Sequence, residues 1–257
     1  KTINVGVIGA GRIGRVHAEN LVYRISEARL AGVSDVFVEA AERLAGELGG
    51  VPAYRDARRI LDDPDVDAVL ICSSTDTHAP LIEQAADAGK QIFCEKPIAL
   101  DLNAIDRALK AVEEAGVKLQ IGFNRRFDPN FARVHALVAA GDIGTPHLLR
   151  ITSRDPAPPP IEYVHVSGGI FLDMTIHDFD MARFLMPGEV ESVYAAAGVL
   201  VDPAIGGAGD VDDRQSGVVP APARLPGTTH PGEDREDDDS ADRDRENPQQ
   251  SAHEEIT

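Results

Sequence analysis

Val5-Gly6-Val7-Ile8-Gly9-Ala10-Gly11-Arg12-Ile13-Gly14 is an apolar run that passes straight into a Gly-x-Gly-x-x-Gly turn, and helix-like spacing follows at Ile13, Val16, His17 and Leu21. Strand, turn and helix in that order make a clamp for a dinucleotide. Gly9 allows the tight turn, Gly11 removes the Cβ that would block a pyrophosphate, and Gly14 lets the helix lie close on the strand. The helix N-terminus then faces the phosphates. Three glycines in six residues also occur in ordinary surface turns, so the surrounding sequence has to carry part of the argument.

A second apolar run, Leu30-Ala31-Gly32-Val33-Ser34, supplies that context by ending in Asp35. A carboxylate at the tip of the second strand accepts hydrogen bonds from the adenosine ribose hydroxyls and repels a 2′-phosphate, which favours NAD over NADP. The competing reading of Asp35 is an N-cap for the helix that follows.

From 1 to 121, short apolar strands (3–8, 29–34, 66–72, 90–94, 117–121) alternate with helical periods near 12–24, 36–48, 55–62, 78–88 and 101–115. Such alternation predicts right-handed crossovers and a doubly wound parallel sheet covered on both faces, with ligands at the carboxyl ends of the strands. Two strand ends therefore stand out. After Cys72 comes Ser73-Ser74-Thr75-Asp76-Thr77-His78, and after Cys94 comes Glu95-Lys96-Pro97. Away from a ligand, His78 is a first-turn helix residue and Glu95 with Lys96 a solvated pair.

Asp128-Pro129 is a cap and first-turn pair for a helix over about 129–140. Residues 147–153 look like a strand of a second sheet, 154–160 form a proline-rich loop, the stretch after Gly168-Gly169 is helical in period to about Leu185, and 189–201 holds one more strand or strand pair. Asp173 and His177 lie four apart on that helix, where a carboxylate can orient an imidazole base; a helix-bracing pair gives the same spacing. Zinc lacks a third ligand at metal spacing.

The 257 residues carry a formal charge of −18, which opposes nonspecific binding to nucleic acid or anionic lipid. Residues 212–257 hold −8 of that charge, have no aromatic residue and few branched apolar ones, and are expected to be disordered. No stretch approaches the ~20 apolar residues of a membrane span, and no signal segment opens the sequence, so a soluble, cytoplasmic chain is expected. Two cysteines in apolar strands suggest no disulfide.

Gly9 to Gly14, Asp35, Ser73 to His78, Glu95-Lys96-Pro97, Asn124-Arg125-Arg126-Phe127, and Gly168-Gly169 through Asp173, His177 and Asp178 occur in an order and spacing that resembles the Gfo/Idh/MocA oxidoreductases over roughly residues 2–210. The pattern is most like the bacterial inositol dehydrogenase members. The resemblance implies an α/β chain in three parts: a Rossmann domain at 1–121, an incomplete α+β substrate domain with a mainly antiparallel sheet at 122–211, and the acidic tail at 212–257. It further implies hydride transfer from a secondary alcohol of a cyclitol or sugar to NAD, with Lys96, Asp173 and His177 catalytic. Cofactor contacts are implied for Gly9, Gly11, Arg12, Ile13, Gly14, Asp35, Ser73, Ser74, Thr75, His78, Glu95 and Lys96. Substrate contacts are implied for Lys96, Arg126, Asp173, His177 and Asp178. Family members homo-oligomerise through C-terminal strands that are not readable after Asp212, a departure that suggests truncation or a shifted reading frame.

Overall fold

The computed structural model describes residues 2–207 and 217–220. Strand β1 (Ile3–Ile8) lies at the centre of the sheet and alternates faces along its length. Val5 and Val7 point to one side, where helices α1 (Arg12–Tyr23) and α2 (Val38–Glu47) supply Ala18, Leu21, Ala41 and Leu44. Strand β2 (Ala28–Ser34) contributes Leu30 and Val33 to the same cluster. Ile8 points to the opposite face and joins the cluster to which Ile60, Ile82 and Ala108 belong, on α3 (Arg58–Leu61), α4 (Thr75–Asp87) and α5 (Leu102–Ala115). Both faces are thus sealed.

With β3 (Ala53–Tyr54), β4 (Ala68–Ile71), β5 (Gln91–Cys94) and β6 (Leu119–Ile121), the sheet runs β3-β2-β1-β4-β5-β6, and every pairing is parallel. The order reverses between β1 and β4, and a crevice for a ligand opens at such a reversal, beyond the carboxyl ends. Five strands were legible in the sequence. The two-residue β3 is too short to show a period of two. Lys90, placed in a strand by the sequence reading, precedes β5. Its buried ammonium donates to the carbonyls of Asp63 (2.6 Å) and Val66 (2.8 Å), which satisfies the charge without a carboxylate.

Beyond β6 a 3₁₀ turn at Asn124–Phe127 leads to α6 (Pro129–Ala139), whose first turn is capped as expected by the Asp128 carboxylate accepting from Asn130 N–H at 2.8 Å. Residues 147–153 are not a strand. A strand exists only where a neighbour completes its ladder, and among the described residues none lies beside this segment, which leaves Leu148 82% exposed. Helix α7 (Ile161–Ser167) follows the proline-rich loop, and Gly168 and Gly169, at φ 83° and 76°, end it. The chain resumes as a π turn at Phe171–Thr175 and then α8 (Ile176–Leu185), where one uninterrupted helix was expected.

After α8, only Ser192–Ala195 of the 189–201 run is a strand, β7. A short helix, α9 (Pro203–Gly207), precedes β8 (Gly217–Pro220), which pairs antiparallel with β7. Apart from β8, the tail expected to be disordered from 212 onward lies outside the described residues. Among the described residues, no helix is long and apolar enough to cross a membrane.

Candidate active site

Three glycines shape the turn after β1. Gly9 sits at φ 101°, and a Cβ there would lie 2.6 Å from the Cys72 carbonyl; a Cβ on Gly14 would lie 1.9 Å from the Gly9 carbonyl oxygen. The first turn of the helix therefore meets the Gly9 turn with no room for a side chain at position 14. A Cβ on Gly11 would meet nothing within 4 Å, so the space in front of the helix is open. No side chain caps α1, and no acidic residue occupies its first turn. Free amides, a positive helix end and room for a pyrophosphate coincide there. Arg12 and Ile13 form the first residues of this helix.

A cleft of about 750 Å³ extends from this turn, lined among others by Gly9, Gly11, Asp35, Phe37, Arg55, Ser73, Ser74 and Leu81. Asp35 Oδ2 accepts from Ala10 N–H at 2.7 Å, and Oδ1 accepts from Phe37 N–H at 2.8 Å. The carboxylate is thereby fixed at the mouth with lone pairs to spare for ribose hydroxyls. It does not cap α2, which begins at Val38 with no side-chain cap. Ser73 Oγ and Thr77 Oγ1 bond each other at 2.6 Å on the opposite wall, and Thr75 opens α4. These residues fit a dinucleotide held along the strand ends.

His78 belongs elsewhere. It is 2% exposed, with Nδ1 2.8 Å from the Pro97 carbonyl oxygen and Nε2 3.1 Å from that of Ser73. Rather than meeting a cofactor, the ring ties the two strand-end loops together beneath the cleft. The Lys96–Pro97 peptide bond is cis.

Lys96 reaches across to the segment after Gly169. Its Nζ donates to the Asp173 carbonyl at 2.7 Å and to Asp173 Oδ1 at 3.1 Å, and Tyr163 Oη donates to the same carboxylate oxygen at 2.8 Å. Burial first, then the bond to Asp173, pushes the Tyr163 phenol up to about 12. His177 is not held by Asp173, contrary to the expectation from their spacing of four. The π turn over Phe171–Thr175 widens the helix between them, and Lys96 and Tyr163 occupy the carboxylate. His177 Nδ1 is buried with no hydrogen-bond partner among the described residues. Burial, followed by the Lys96 and Arg125 cations, holds the imidazole below its usual pKa, so the ring is neutral and ready to accept a proton.

Asp178 Oδ1 accepts from Arg125 Nη1 and from Ser153 Oγ, the latter at 2.6 Å. Arg126, expected beside the substrate, turns away. Its guanidinium forms a fork with Asp180 (2.6–3.0 Å) and lies 5.2 Å over the Phe184 ring, bracing the 3₁₀ turn against α8. Arg125, Ser153 and Tyr163 are site residues that the sequence reading missed. They lie 53, 25 and 10 positions from their partners, and no local period links such positions.

A parallel sheet with a glycine turn at its reversal point and an open cleft beyond its strand ends defines a dinucleotide-binding α/β protein. Comparison with known proteins narrows this class. Residues 3–123 match the model of the oxidoreductase family with an NAD-binding Rossmann fold, and residues 131–232 match the GFO/IDH/MocA C-terminal domain. The chain belongs to the Gfo/Idh/MocA family, and its cofactor is NAD. It is 55% identical over 210 residues to the myo-inositol 2-dehydrogenase of Thermotoga maritima and 54% identical over 211 residues to the inositol 2-dehydrogenase of Rhizobium meliloti. Each match covers 82% of this chain and 63% of the relative. The chain therefore spans somewhat under two thirds of the length of these relatives. A structure of scyllo-inositol dehydrogenase from Lactobacillus casei with bound NAD(H) and scyllo-inositol superposes with a TM-score of 0.75 at 36% identity, covering 81% of this chain and 63% of that one.

Proposed function

We propose that the protein oxidises a secondary alcohol of a cyclitol with NAD, myo-inositol to 2-keto-inositol being the first substrate to test. The observation that carries this reading is the bridge from Lys96 to Asp173, which joins the nucleotide-binding sheet to the segment bearing a neutral, partly buried His177. The cofactor supplies the hydride acceptor, and proton handling falls to the side chains. His177 takes the hydroxyl proton as the carbinol C–H bond gives up its hydride. Lys96 uses two of its three ammonium protons on Asp173, so one is left for the oxygen that becomes a ketone. Asp173 keeps Lys96 in place and offsets its charge. Asp178, with one oxygen held by Arg125 and Ser153, offers the other to a ring hydroxyl. The names of the relatives support a cyclitol, and the same residues would serve another sugar or polyol. A cytoplasmic location and assembly through the C-terminal region, with 1–121 as nucleotide domain and 122–211 as substrate domain, complete the proposal.

The test is NADH absorbance at steady state with myo-inositol, scyllo-inositol and a panel of sugars, run beside calorimetric titration of NAD. Reduction with a cyclitol supports the proposal. Reduction only with an open-chain sugar shifts the substrate class, and tight NAD binding without reduction of any polyol makes the chain a binding protein without turnover.

A further inference from the structure

His17 lies on α1, whose N-terminus forms the phosphate site, and its Nε2 is 2.7 Å from Glu95 Oε1. Glu95 directly follows β5 and directly precedes Lys96. The pair therefore links the cofactor helix to the strand end that carries the catalytic lysine. Both side chains are about three-quarters buried, 24% and 21% exposed, and the Phe93 ring meets the imidazole edge-on at 5.0 Å. The carboxylate is also boxed in from the far side. A Cβ on Gly122 would come within 2.9 Å of Oε2, so only glycine leaves Glu95 its place. Through His17 the carboxylate is tied to the helix behind the Gly9 turn, and through the adjoining Lys96 to Asp173. In the NAD reading, Glu95 therefore stands where the dinucleotide meets the reacting alcohol.

We propose that His17 is a positioning residue for the nicotinamide half of the cofactor: it fixes one oxygen of Glu95 so that the other faces the nicotinamide end as an acceptor. The proposal rests on the NAD reading above. It differs from a bracing role because it acts on one end of the ligand only. His17 Nε2–H donates, Glu95 Oε1 accepts, and Oε2, with no donor on it among the described residues, is left for the ligand.

Titrating the chain with NADH and with ADP-ribose separates the possibilities, because ADP-ribose keeps the adenosine and pyrophosphate but lacks the nicotinamide ring. His17→Ala is expected to weaken NADH about tenfold, the size of one lost hydrogen bond, and to leave ADP-ribose within about twofold. His17→Gln, which restores an N–H donor, regains most of the NADH affinity. Gly122→Ala displaces Glu95 without touching a charge and reproduces the selective loss, with folding checked by circular dichroism. Equal weakening of both ligands, or no weakening of either, overturns the proposal. A parent that binds neither ligand overturns the dinucleotide reading, and this inference with it; a parent that binds both while every variant behaves alike overturns the inference alone.

Discussion

His177 concentrates the pH dependence of the site in one ring. Burial, Lys96 and Arg125 lower its pKa from 6.5, while Glu95 and Asp178 oppose them in part. A lowered pKa keeps the proton-accepting form populated to more acid pH, so kcat/KM should hold as pH drops past 6.5 and fall only below it. Arg125→Met removes one lowering charge and frees Asp178, a raising one, so the acid limb should move up toward 6.5; an unmoved limb in a pH–rate profile rejects His177 as the group that titrates. Lys96→Ala and His177→Ala should each cost about 10²–10⁴ in turnover, with the double variant losing far less than the product because the groups act as a unit. Near-normal turnover with a small drop in melting temperature would instead mean that they only brace the fold. Asp35→Ser should weaken NAD and relieve repulsion of a 2′-phosphate, so that NADP gains relative to NAD; calorimetry with both cofactors checks this.

At the level of elements, the glycine turn sets the most stringent requirement. Gly14→Ala places a methyl group 1.9 Å from the Gly9 carbonyl, so helix and strand must separate, and NADH binding measured by fluorescence should be lost even if the far-ultraviolet circular dichroism is kept. Helix α5 is closed at its start by Asp101, whose carboxylate accepts from Ala104 N–H at 2.8 Å, and at its end by Gly116 at φ 66°. Asp101→Ala should lower stability by about 1 kcal/mol in a urea titration without altering cofactor affinity. Sequence reading succeeded where elements announce themselves locally, through caps such as Asp128-Pro129 and apolar runs such as 3–8. It overran where an element depends on a neighbour, as at 147–153, and it passed over α7 and the π turn because wider or shorter helical turns share the apolar period of the segment around them.

Over the whole molecule, packing is unequal. The buried cores of the described residues lie almost wholly on the two faces of the six-stranded sheet, while Leu148, Tyr194 and Leu200 stand open in the second half. Amide exchange followed by mass spectrometry should accordingly be slowest in β1, β4 and β5 and fast at 147–160, and NAD should slow it further at 9–14 and 72–77; uniform protection across both halves would contradict this picture. By itself, the sequence determined the alternating α/β order, the glycine turn and the carboxylate after β2, because each is written in adjacent residues or in a short period, whereas Lys96, Asp173 and His177 stood out only through the resemblance to a family. Only the tertiary structure decided who holds whom. Asp173 belongs to Lys96 and Tyr163 rather than to His177, Arg126 belongs to Asp180, and His78 serves the loops beneath the cleft. Partners chosen across 10 to 77 positions depend on how helices and strand ends are brought together in space, and that arrangement leaves no mark on neighbouring residues.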